Sequence, residues 1–490
     1  MRTIPGTEAP VGVVGAGAMG AGIAEVAAAA GHRVVVLDVG AAALDRGRSI
    51  VDASLAGRVK RGALAQTDAD AIRARLSFTE DITDLGPCAL VVEAIVEQTA
   101  AKASLFARLE RVLAPDAIIA SNTSSLPISG LATSLKRPER FVGLHFFNPA
   151  PVMKLVEVVT IRDNPAGLAP MLVDLMRRWG KVPVLAADVP GFIVNRVARP
   201  YYAEGFLALG EGLDAASIDH ALKAAGGFRM GPLELADLIG HDVNYAVASS
   251  VYGAYAGRTR FRPQAAQKAL VEAGHLGRKT GRGVFVTGEK PVVPLEPSAA
   301  APARVCFGEG LVSLCANAAG DATLSANAIL IDGILLRLGD GRTAASLAAE
   351  DGRTRIMLDM ARDFTTAPTL VASLADPQDR AARAAFAGFA QSLGKGALLL
   401  PDRPGGLVLR TLAQLANCAA DAAHERVADA AGIDAAMIHG ANHPQGPLAW
   451  VAQAGAAHVR KVLRNLAEAT GDALYLPSDG FNFADEDGEK

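Results

Sequence analysis

A histidine at the end of an apolar run has the chemistry of an acid–base catalyst. His145 directly follows Phe141–Leu144, a run that predicts a strand. An imidazole takes up and releases protons near neutral pH, so it could accept the proton that an alcohol loses on oxidation. Glu157 lies twelve residues further on and could orient the imidazole. The residues alone leave alternatives open, because a histidine on an apolar strand is often structural and Glu157 could equally face solvent.

Two other apolar runs also end in polar side chains. Leu90–Val92 is followed by Glu93 and Glu97, and Ile118–Ala120 is followed by Ser-Asn-Thr-Ser-Ser at 121–125. The carboxyl ends of neighbouring parallel strands meet at one edge of a sheet, where ligands bind in open α/β folds. We therefore expect acid, hydroxyl and imidazole groups to gather at a single rim.

A glycine-rich turn near the amino terminus predicts a dinucleotide site. The sequence Gly-Ala-Gly-Ala-Met-Gly at 15–20 lies between a short apolar run, 11–15, and an alanine-rich helical stretch. In such a turn Gly15 permits the bend, Gly17 lets the backbone approach a pyrophosphate, and Gly20 lets helix and strand pack closely. The amino end of the helix then offers free N–H groups to the phosphates.

An acidic residue at the end of the next strand indicates which dinucleotide is bound. Asp38 closes the apolar run Val34–Asp38, at the spacing expected for a contact with the adenine ribose. Its carboxylate can accept hydrogen bonds from ribose hydroxyls, whereas a 2′-phosphate would meet like charge. The sequence therefore predicts NAD in preference to NADP.

The order of strands and helices predicts the fold class. Apolar strands alternate with helical stretches up to about residue 189, which favours a Rossmann-type, doubly wound parallel sheet. After Pro190 the apolar residues recur at helical spacing, so an all-α domain is expected at 190–289. A proline- and alanine-rich stretch, 290–303, is interpreted as a linker, and a polar tail is expected at 476–490.

The second half of the chain repeats the first in a degenerate, shortened form. The segment 180–196 resembles 394–410 at a shift of 214 residues, and 218–233 resembles 433–448 at a shift of 215. Further upstream, Cys306–Gly310 echoes the glycine turn and Asp332 echoes Asp38. Duplication of a sheet domain plus a helical domain explains this pattern. We expect a degenerate Rossmann-like segment at 304–403 and a second helical domain at 404–475.

Composition excludes several other classes of function. The formal net charge of −3 supplies no basic surface for nucleic acid. The four cysteines lack metal-type spacing and are expected to be reduced thiols of a cytoplasmic protein, with no metal site. No apolar stretch reaches the length of about 18 residues that a membrane span needs. The first ten residues contain no apolar run, so no secretory signal is expected.

At these residues the chain resembles the 3-hydroxyacyl-CoA dehydrogenase family, nearly continuously over about residues 11–287. The two most specific stretches are GLHFFNP at 143–149 and PGFIVNR at 190–196. Further shared strings are GAGAMG (15–20), VVEAIVE (91–97), SNTSSLPI (121–128) and GRKTGRG (277–283). The resemblance implies NAD-dependent, reversible oxidation of an (S)-3-hydroxyacyl-CoA to a 3-oxoacyl-CoA.

The resemblance also implies roles for individual residues. The catalytic base falls on His145 and its partner on Glu157, while Ser124 and Asn195 match residues that hydrogen-bond the reacting oxygen. From the sequence alone, Asn195 could equally be a helix cap. Cofactor contacts fall on Gly15, Gly17, Gly20, Asp38, Glu97, Lys102, Ser124, Asn148 and Lys279. Ser54 and Arg61 match CoA-contacting positions, with Arg61 replacing a family lysine; a solvated helix face is the alternative.

The second copy lacks these residues, so one active site per chain is expected. Gly308 and Gly310 are present, but Cys315 and its neighbours supply no third glycine, and Asn195 corresponds to Leu409. The whole length resembles the long bacterial forms of the family, which act on 3-hydroxybutyryl-CoA or 3-hydroxyadipyl-CoA. In them the helical domains are expected to pair, either as a homodimer or within one chain as a pseudo-dimer.

Two competing functions remain open on the sequence. One is an NAD-dependent dehydrogenase of a free hydroxy acid, and the other is a cofactor-binding regulator without chemistry. The intact proton-handling residues of the first copy disfavour the regulator. The expected partner is therefore an acyl-CoA thioester, with neither nucleic acid nor membrane.

Overall fold

The computed structural model describes residues 6–289, 291–309 and 323–481. The chain forms two compact units, one made of the chain up to Asn195 together with Glu425–Ala441, the other of Arg196–His424 and the chain from Asn442 onward. Gly310, Cys315 and most of the predicted polar tail lie outside the described residues.

The first unit is built on an eight-stranded sheet. Its strand order is β3-β2-β1-β4-β5-β6-β7-β8, and every neighbouring pair is parallel except β6 and β7. The strands are β1 (Val11–Val14), β2 (Val34–Leu37), β3 (Leu76–Thr79), β4 (Leu90–Glu93), β5 (Ile118–Ser121), β6 (Phe141–Phe146), β7 (Leu155–Val159) and β8 (Val182–Ala186). Their near-continuous apolar runs suit strands that helices bury on both faces. The predicted doubly wound fold is confirmed.

The helices of the first unit are α1 (Ala18–Ala29), α2 (Ala41–Lys60), α3 (Gln66–Ala74), α4 (Thr99–Val112), α5 (Ile128–Ala132), α6 (Leu168–Arg178) and the first turn of α7 (Val194–Val197). Small residues bring α1 close to its neighbours: a Cβ added at Gly22 would lie 3.1 Å from Pro151 and 3.2 Å from Ala150. The loop that follows β6 is thereby packed on α1.

A helix from the far end of the chain completes the first unit. Helix α16 (Ala430–Ala441) contacts β7 and β8, although the segments on either side of it belong to the second unit. The Ala187 N–H donates to the Val427 carbonyl at 2.7 Å, and a Cβ added at Gly440 would lie 2.4 Å from Leu155. A piece of the second helical copy therefore covers the sheet that carries Glu157.

The second unit contains the rest of both helical copies. Helices α8 and α15 pack against each other, and the buried Arg410 of α15 lies 2.8 Å from the buried Glu204 of α8. The helices are α8 (Arg199–Gly210), α9 (Ala215–Ala224), α10 (Pro232–Ile239), α11 (His241–Ala254), α12 (Ala265–Glu272), α13 (Ala344–Asp351), α14 (Arg380–Ser392), α15 (Val408–His424), α17 (Pro447–Ala454) and α18 (Ala456–Thr470). In the described residues no helix has the length and apolar content to cross a membrane.

A second, six-stranded sheet also lies in this unit, in the order β14-β13-β12-β11-β10-β9. Its strands are β9 (Val305–Phe307), β10 (Ala328–Ile331), β11 (Ile334–Leu338), β12 (Thr354–Leu358), β13 (Thr369–Leu374) and β14 (Gly396–Leu399). Strands β12–β14 repeat the pairing and register of β6–β8 at a constant shift of 214 residues; Met357 pairs with Ser373 as Gly143 pairs with Val159.

The upstream part of the repeat does not follow the sequence prediction. Strands β9 and β10 are antiparallel, whereas β1 and β2 are parallel. Asp332 lies in the turn after β10 and accepts hydrogen bonds from the N–H groups of Ala303 and Arg304, at 3.0 and 2.7 Å. The echo of the glycine turn in Cys306–Gly310, and of Asp38 in Asp332, was therefore wrong. Short shared strings do not determine strand direction, which depends on the connection between the strands.

Candidate active site

The three glycines of the turn each meet a different steric demand. Gly15 has φ 101°, and a Cβ there would lie 2.5 Å from the Ala94 carbonyl oxygen. A Cβ on Gly20 would lie 1.7 Å from the Gly15 carbonyl oxygen. A Cβ on Gly17 would meet nothing within 4 Å, so Gly17 is the point at which the turn is open. Gly17 also precedes α1, whose first N–H groups are available to an anion.

Asp38 is held against this turn. Its carboxylate accepts hydrogen bonds from the Ala16 N–H and the Val39 N–H, both at 2.6 Å. Asp38 directly follows β2 and is half-buried. The negative charge beside the glycine turn suits ribose hydroxyls and disfavours a 2′-phosphate. The residues present therefore fit NAD.

A buried ionic network lies at the carboxyl end of β4. Lys102 is 1 % exposed, and its Nζ lies 2.5 Å from Oε1 of Glu93 and 3.1 Å from Oε2 of Glu97. The Ser121 hydroxyl donates to the other Glu93 oxygen at 2.6 Å. Because both acids compensate its charge, Lys102 can position Glu97. The sequence analysis expected Glu93 at the rim of the sheet but did not predict its pairing with Lys102; an acid that closes a strand nine residues before a lysine was the available signal.

Glu97 joins this network to the Ser-Asn-Thr-Ser-Ser loop. Its carboxylate accepts hydrogen bonds from the Thr123 hydroxyl, from the Ser124 N–H at 3.1 Å and from the Ser125 hydroxyl at 3.0 Å. Burial raises the pKa of Glu97, but the hydrogen bond from Thr123 and the charge of Lys102 outweigh it, so the pKa lies below its usual value. The carboxylate is therefore ionised and fixes the loop that follows β5.

His145 and Glu157 form a buried pair across two antiparallel strands. They are direct partners in the register of β6 and β7, and His145 Nδ1 lies 2.6 Å from Oε2 of Glu157. His145 is 6 % exposed and Glu157 is fully buried. The sequence analysis expected His145 to follow the strand. Strand β6 continues to Phe146, so His145 lies within the strand.

The second oxygen of Glu157 fixes the pair to the start of α7. Oε1 accepts hydrogen bonds from the N–H groups of Ile193 and Val194, at 3.0 and 2.9 Å. The remaining Glu157 oxygen accepts the Nδ1 proton of His145, which leaves the lone pair on Nε2. In the part of the chain that the structure describes, no group hydrogen-bonds to Nε2. The imidazole can therefore accept a proton at Nε2 and share the resulting charge with Glu157.

Two amides and a lysine support the residues around His145. Asn122 accepts a hydrogen bond from the Phe146 N–H at 2.8 Å, and Asn195 Nδ2 lies 3.5 Å from the Ser124 carbonyl oxygen. Lys181, which the sequence analysis did not single out, donates to the carbonyls of Ala150 and Met153 in the loop after β6. Burial lowers the pKa of Lys181 to about 8.

The remaining predicted contacts are more dispersed. Asn148 is exposed in the loop after β6, Ser54 is half-buried on α2, and Arg61 is exposed at the end of that helix. Lys279 belongs to the second unit, where its Nζ lies 2.5 Å from Asp242, and the hydrogen bond from Lys279 lowers the pKa of that carboxyl. The structure thus brings His145 and Glu157 together, and Glu97, Lys102 and Ser124 together.

In the second sheet an aspartate stands where His145 stands in the first. At the shift of 214 residues, Asp359 corresponds to His145 and Val371 to Glu157, and the Asp359 N–H donates to the Val371 carbonyl at 2.8 Å. The buried Asp359 carboxylate accepts the N–H groups of Leu407, Val408 and Leu409, at 2.7, 2.9 and 3.0 Å. Burial raises its pKa. The second sheet therefore has a capped helix in place of a proton-accepting pair.

Comparison with known proteins places the chain in a family. The model of the 3-hydroxyacyl-CoA dehydrogenase NAD-binding domain matches residues 10–189, and that of the C-terminal domain matches 191–287 and 405–489. The model of the 3-hydroxybutyryl-CoA dehydrogenase reduced Rossmann-fold domain matches 336–404.

Individual relatives agree with these matches. Escherichia coli 3-hydroxyadipyl-CoA dehydrogenase is 42 % identical over 470 residues, 95 % of each chain. Bradyrhizobium diazoefficiens 3-hydroxybutyryl-CoA dehydrogenase is 40 % identical and covers 58 % of this chain and 97 % of its own. The crystal structure of an Escherichia coli 3-hydroxybutyryl-CoA dehydrogenase superimposes with a TM-score of 0.90 at 40 % identity, covering 99 % of this chain and 100 % of that one.

The chain therefore belongs to the 3-hydroxyacyl-CoA dehydrogenase family. The predictions of an NAD-dependent enzyme, of NAD as its cofactor and of 3-hydroxyacyl-CoA oxidation are confirmed.

Proposed function

We propose that the chain oxidises the 3-hydroxyl of a short-chain or dicarboxylic (S)-3-hydroxyacyl-CoA, of the 3-hydroxybutyryl or 3-hydroxyadipyl type, with His145 as the base. The observation that carries this proposal is the His145–Glu157 pair, whose Nε2 remains available at the sheet edge that also bears the glycine turn. The reaction converts a 3-hydroxyacyl-CoA and NAD⁺ into a 3-oxoacyl-CoA, NADH and a proton.

The chain's own residues carry the proton and hold the reacting oxygen. Bound NAD⁺ supplies a hydride acceptor for C3 of the substrate. His145 Nε2 accepts the hydroxyl proton, and the carboxylate of Glu157 stabilises the imidazolium that forms. Ser124 and Asn195 hydrogen-bond the oxygen as it becomes a carbonyl. In the reverse direction His145 returns the proton.

We propose the cofactor contacts from the same positions. The pyrophosphate binds to the backbone at Gly17 and to the amino end of α1. The adenine ribose binds to Asp38, and the nicotinamide half of NAD lies beside Glu97. The full set of proposed cofactor contacts is Gly15, Gly17, Gly20, Asp38, Glu97, Lys102, Ser124, Asn148 and Lys279, with Ser54 and Arg61 on CoA. Lys102 acts through Glu97, because its charge is already compensated.

The pairing of the helical copies within one chain supports a pseudo-dimer. Helix α8 packs on α15, so each copy buries the other's apolar face without a second chain. We propose that this packing replaces the homodimer contact expected for single-copy forms. We further propose that the protein is cytoplasmic and serves fatty-acid or phenylacetate breakdown. A reduced thiol is consistent with a cytoplasmic protein: burial raises the pKa of the Cys88 thiol to about 12, which keeps the thiol protonated and unreactive.

A comparison of two oxidants tests the proposal. NADH oxidation is measured with acetoacetyl-CoA and with free acetoacetate at equal concentrations. The proposal expects turnover of the thioester and little of the free acid. Comparable rates on both would indicate a dehydrogenase of free hydroxy acids, and no turnover of either would indicate a cofactor-binding protein without this chemistry.

A further inference from the structure

A pocket in the second unit is lined by basic and amide side chains. One wall is the face of α8 that carries Arg199, Tyr202 and Phe206, and the others come from Asn244 of α11 and from residues 260–267. The pocket encloses about 310 Å³, including solvent at its mouth. In the described part of the chain no aspartate or glutamate lines it. A carboxylate ligand would therefore meet no like charge on its walls.

Arg199 is the unusual residue of this pocket. It is 7 % exposed, and its Nε and Nη1 atoms are buried without a hydrogen-bond partner in the described residues. The carbon of its guanidinium lies 5.0 Å from the centre of the Tyr202 ring. Burial lowers the pKa of Arg199, yet a guanidinium stays protonated at neutral pH. A buried positive charge without an anion is unfavourable unless something binds it.

The other two arginines of the pocket lie near acids. Arg262 lies 2.5 Å from Asp472, whereas Arg260 lies 3.8 Å from Asp421, an acid that it shares with Arg196 and Arg258. Arg199 is the most deeply buried of the three, and in the described residues no acid lies within ion-pair distance of it.

Amide groups add neutral hydrogen-bond donors beside Arg199. Gln267 donates to Oδ1 of Asn244 at 3.0 Å, which orients the Asn244 amide and leaves its NH₂ group for a ligand. The side-chain amide of Gln264 donates to the Arg262 carbonyl oxygen at 2.8 Å. Both Asn244 and Gln267 are almost fully buried. Donors fixed in advance around a guanidinium suit a planar anion that accepts at two oxygens.

We propose that this pocket binds a carboxylate, which pairs through both oxygens with Arg199. The ligand is a free small carboxylate, and its binding is independent of the reaction at His145.

Measurements of binding and stability test the pocket against a merely structural role of Arg199. Adipate should raise the Tm of the wild type and not of Arg199→Met, while 1,6-hexanediol should do neither. Arg410→Met is the matched control, since Arg410 is equally buried but paired with Glu204. We expect Arg410→Met to lower the Tm, and Arg199→Met to leave it unchanged or raise it, because an unpaired buried charge is removed.

The outcomes do not depend on the proposed function. A rise in Tm with adipate that is lost in Arg199→Met supports the pocket. No rise in the wild type, or an equal rise in the wild type and in Arg199→Met, overturns it. Should Arg199→Met fail to fold, Arg199→Lys takes its place, because it keeps the charge but not the planar group that pairs with two oxygens, and adipate should raise its Tm less than that of the wild type.

Discussion

Asp359, which directly follows β12, occupies the position that His145 occupies in β6. His145 pairs with Glu157 of the next, antiparallel strand, and the Asp359 N–H donates to the carbonyl of Val371 on the corresponding strand of the second sheet. In the first sheet the acid on the neighbouring strand accepts the helix N–H groups and also holds the imidazole. In the second sheet the aspartate accepts the helix N–H groups directly. The duplication has thus kept the helix cap and lost the proton acceptor.

Replacement of His145 by alanine should abolish most of the turnover. Without a base at Nε2, the hydroxyl proton has no acceptor, and kcat should fall by about 10²–10⁴. The measurement is NADH formation from (S)-3-hydroxybutyryl-CoA, with circular dichroism to show that the fold persists. Asp359→Ala is the matched control for the second sheet: it should lower the Tm while the residual activity per folded molecule stays near that of the wild type. Normal turnover by folded His145→Ala would contradict the assignment.

Replacement of Glu157 by glutamine should lower the rate while the fold persists. The amide can still accept the Ile193 and Val194 N–H groups, so the cap is retained while the charge is lost. Because the carboxylate stabilises the imidazolium that forms, its loss should lower kcat for NADH formation from (S)-3-hydroxybutyryl-CoA. A kcat equal to that of the wild type would assign Glu157 a structural role only.

Replacement of Asp38 by asparagine should relax cofactor choice. The amide oxygen can still accept from Ala16 or Val39, but the negative charge that opposes a 2′-phosphate is gone. The ratio of kcat/KM for NADP⁺ to that for NAD⁺ should rise at least about tenfold. An unchanged ratio would mean that Asp38 serves the glycine turn and does not select the cofactor.

The local parts of the site could be predicted from the sequence because short segments carry them. The glycine turn and Asp38 belong to one strand–turn–helix–strand unit, whose spacing is determined locally. His145 and Glu157 lie on adjacent antiparallel strands joined by one short loop, so their separation of twelve residues already favours contact. The catalytic and cofactor roles of these residues remain proposals.

The long-range parts could not be predicted in the same way. Nothing in residues 430–441 shows that this helix packs on β7 and β8, more than 240 positions earlier in the chain. Lys181 was missed because a lone lysine before a strand is usually a surface residue, and only the structure shows that it is buried. The pairing of Glu93 with Lys102 was not predicted for the same reason. The antiparallel pairing of β9 and β10 was missed because strand direction is a property of the whole sheet.

A side chain at position 440 should disturb the His145–Glu157 pair (the dyad) from a distance. A Cβ there would lie 2.4 Å from Leu155 and 3.0 Å from Val194, whose N–H binds Glu157. Gly440→Val should lower the free energy of unfolding by about 1–3 kcal/mol through overpacking, and a displaced dyad should lower kcat by up to about 10²-fold. Gly253→Val is the control, because a Cβ at that helical glycine meets nothing within 4 Å. Equal effects of the two substitutions would argue against a role for α16 at the site.

A buried histidine of the second unit should make the fold sensitive to acid. Burial lowers the pKa of His443, which lies between the rings of Tyr201 and Phe228, to about 3. Below about pH 6.5 His443 is protonated in the unfolded chain but stays neutral in the native state. The free energy of unfolding therefore falls as the pH falls, by roughly 3 kcal/mol at pH 4. His443→Phe should therefore lose less stability than the wild type between pH 7 and pH 4, as measured by urea unfolding. Parallel losses in the two proteins would refute this.

The position of α16 has a consequence for the history of the chain. Since a helix of the later half covers the sheet of the earlier half, neither half is a self-sufficient module. A gene that lost its 3′ portion would encode a first unit with a bare apolar strand pair, β7 and β8. A half-length form would therefore need another surface to cover β7 and β8.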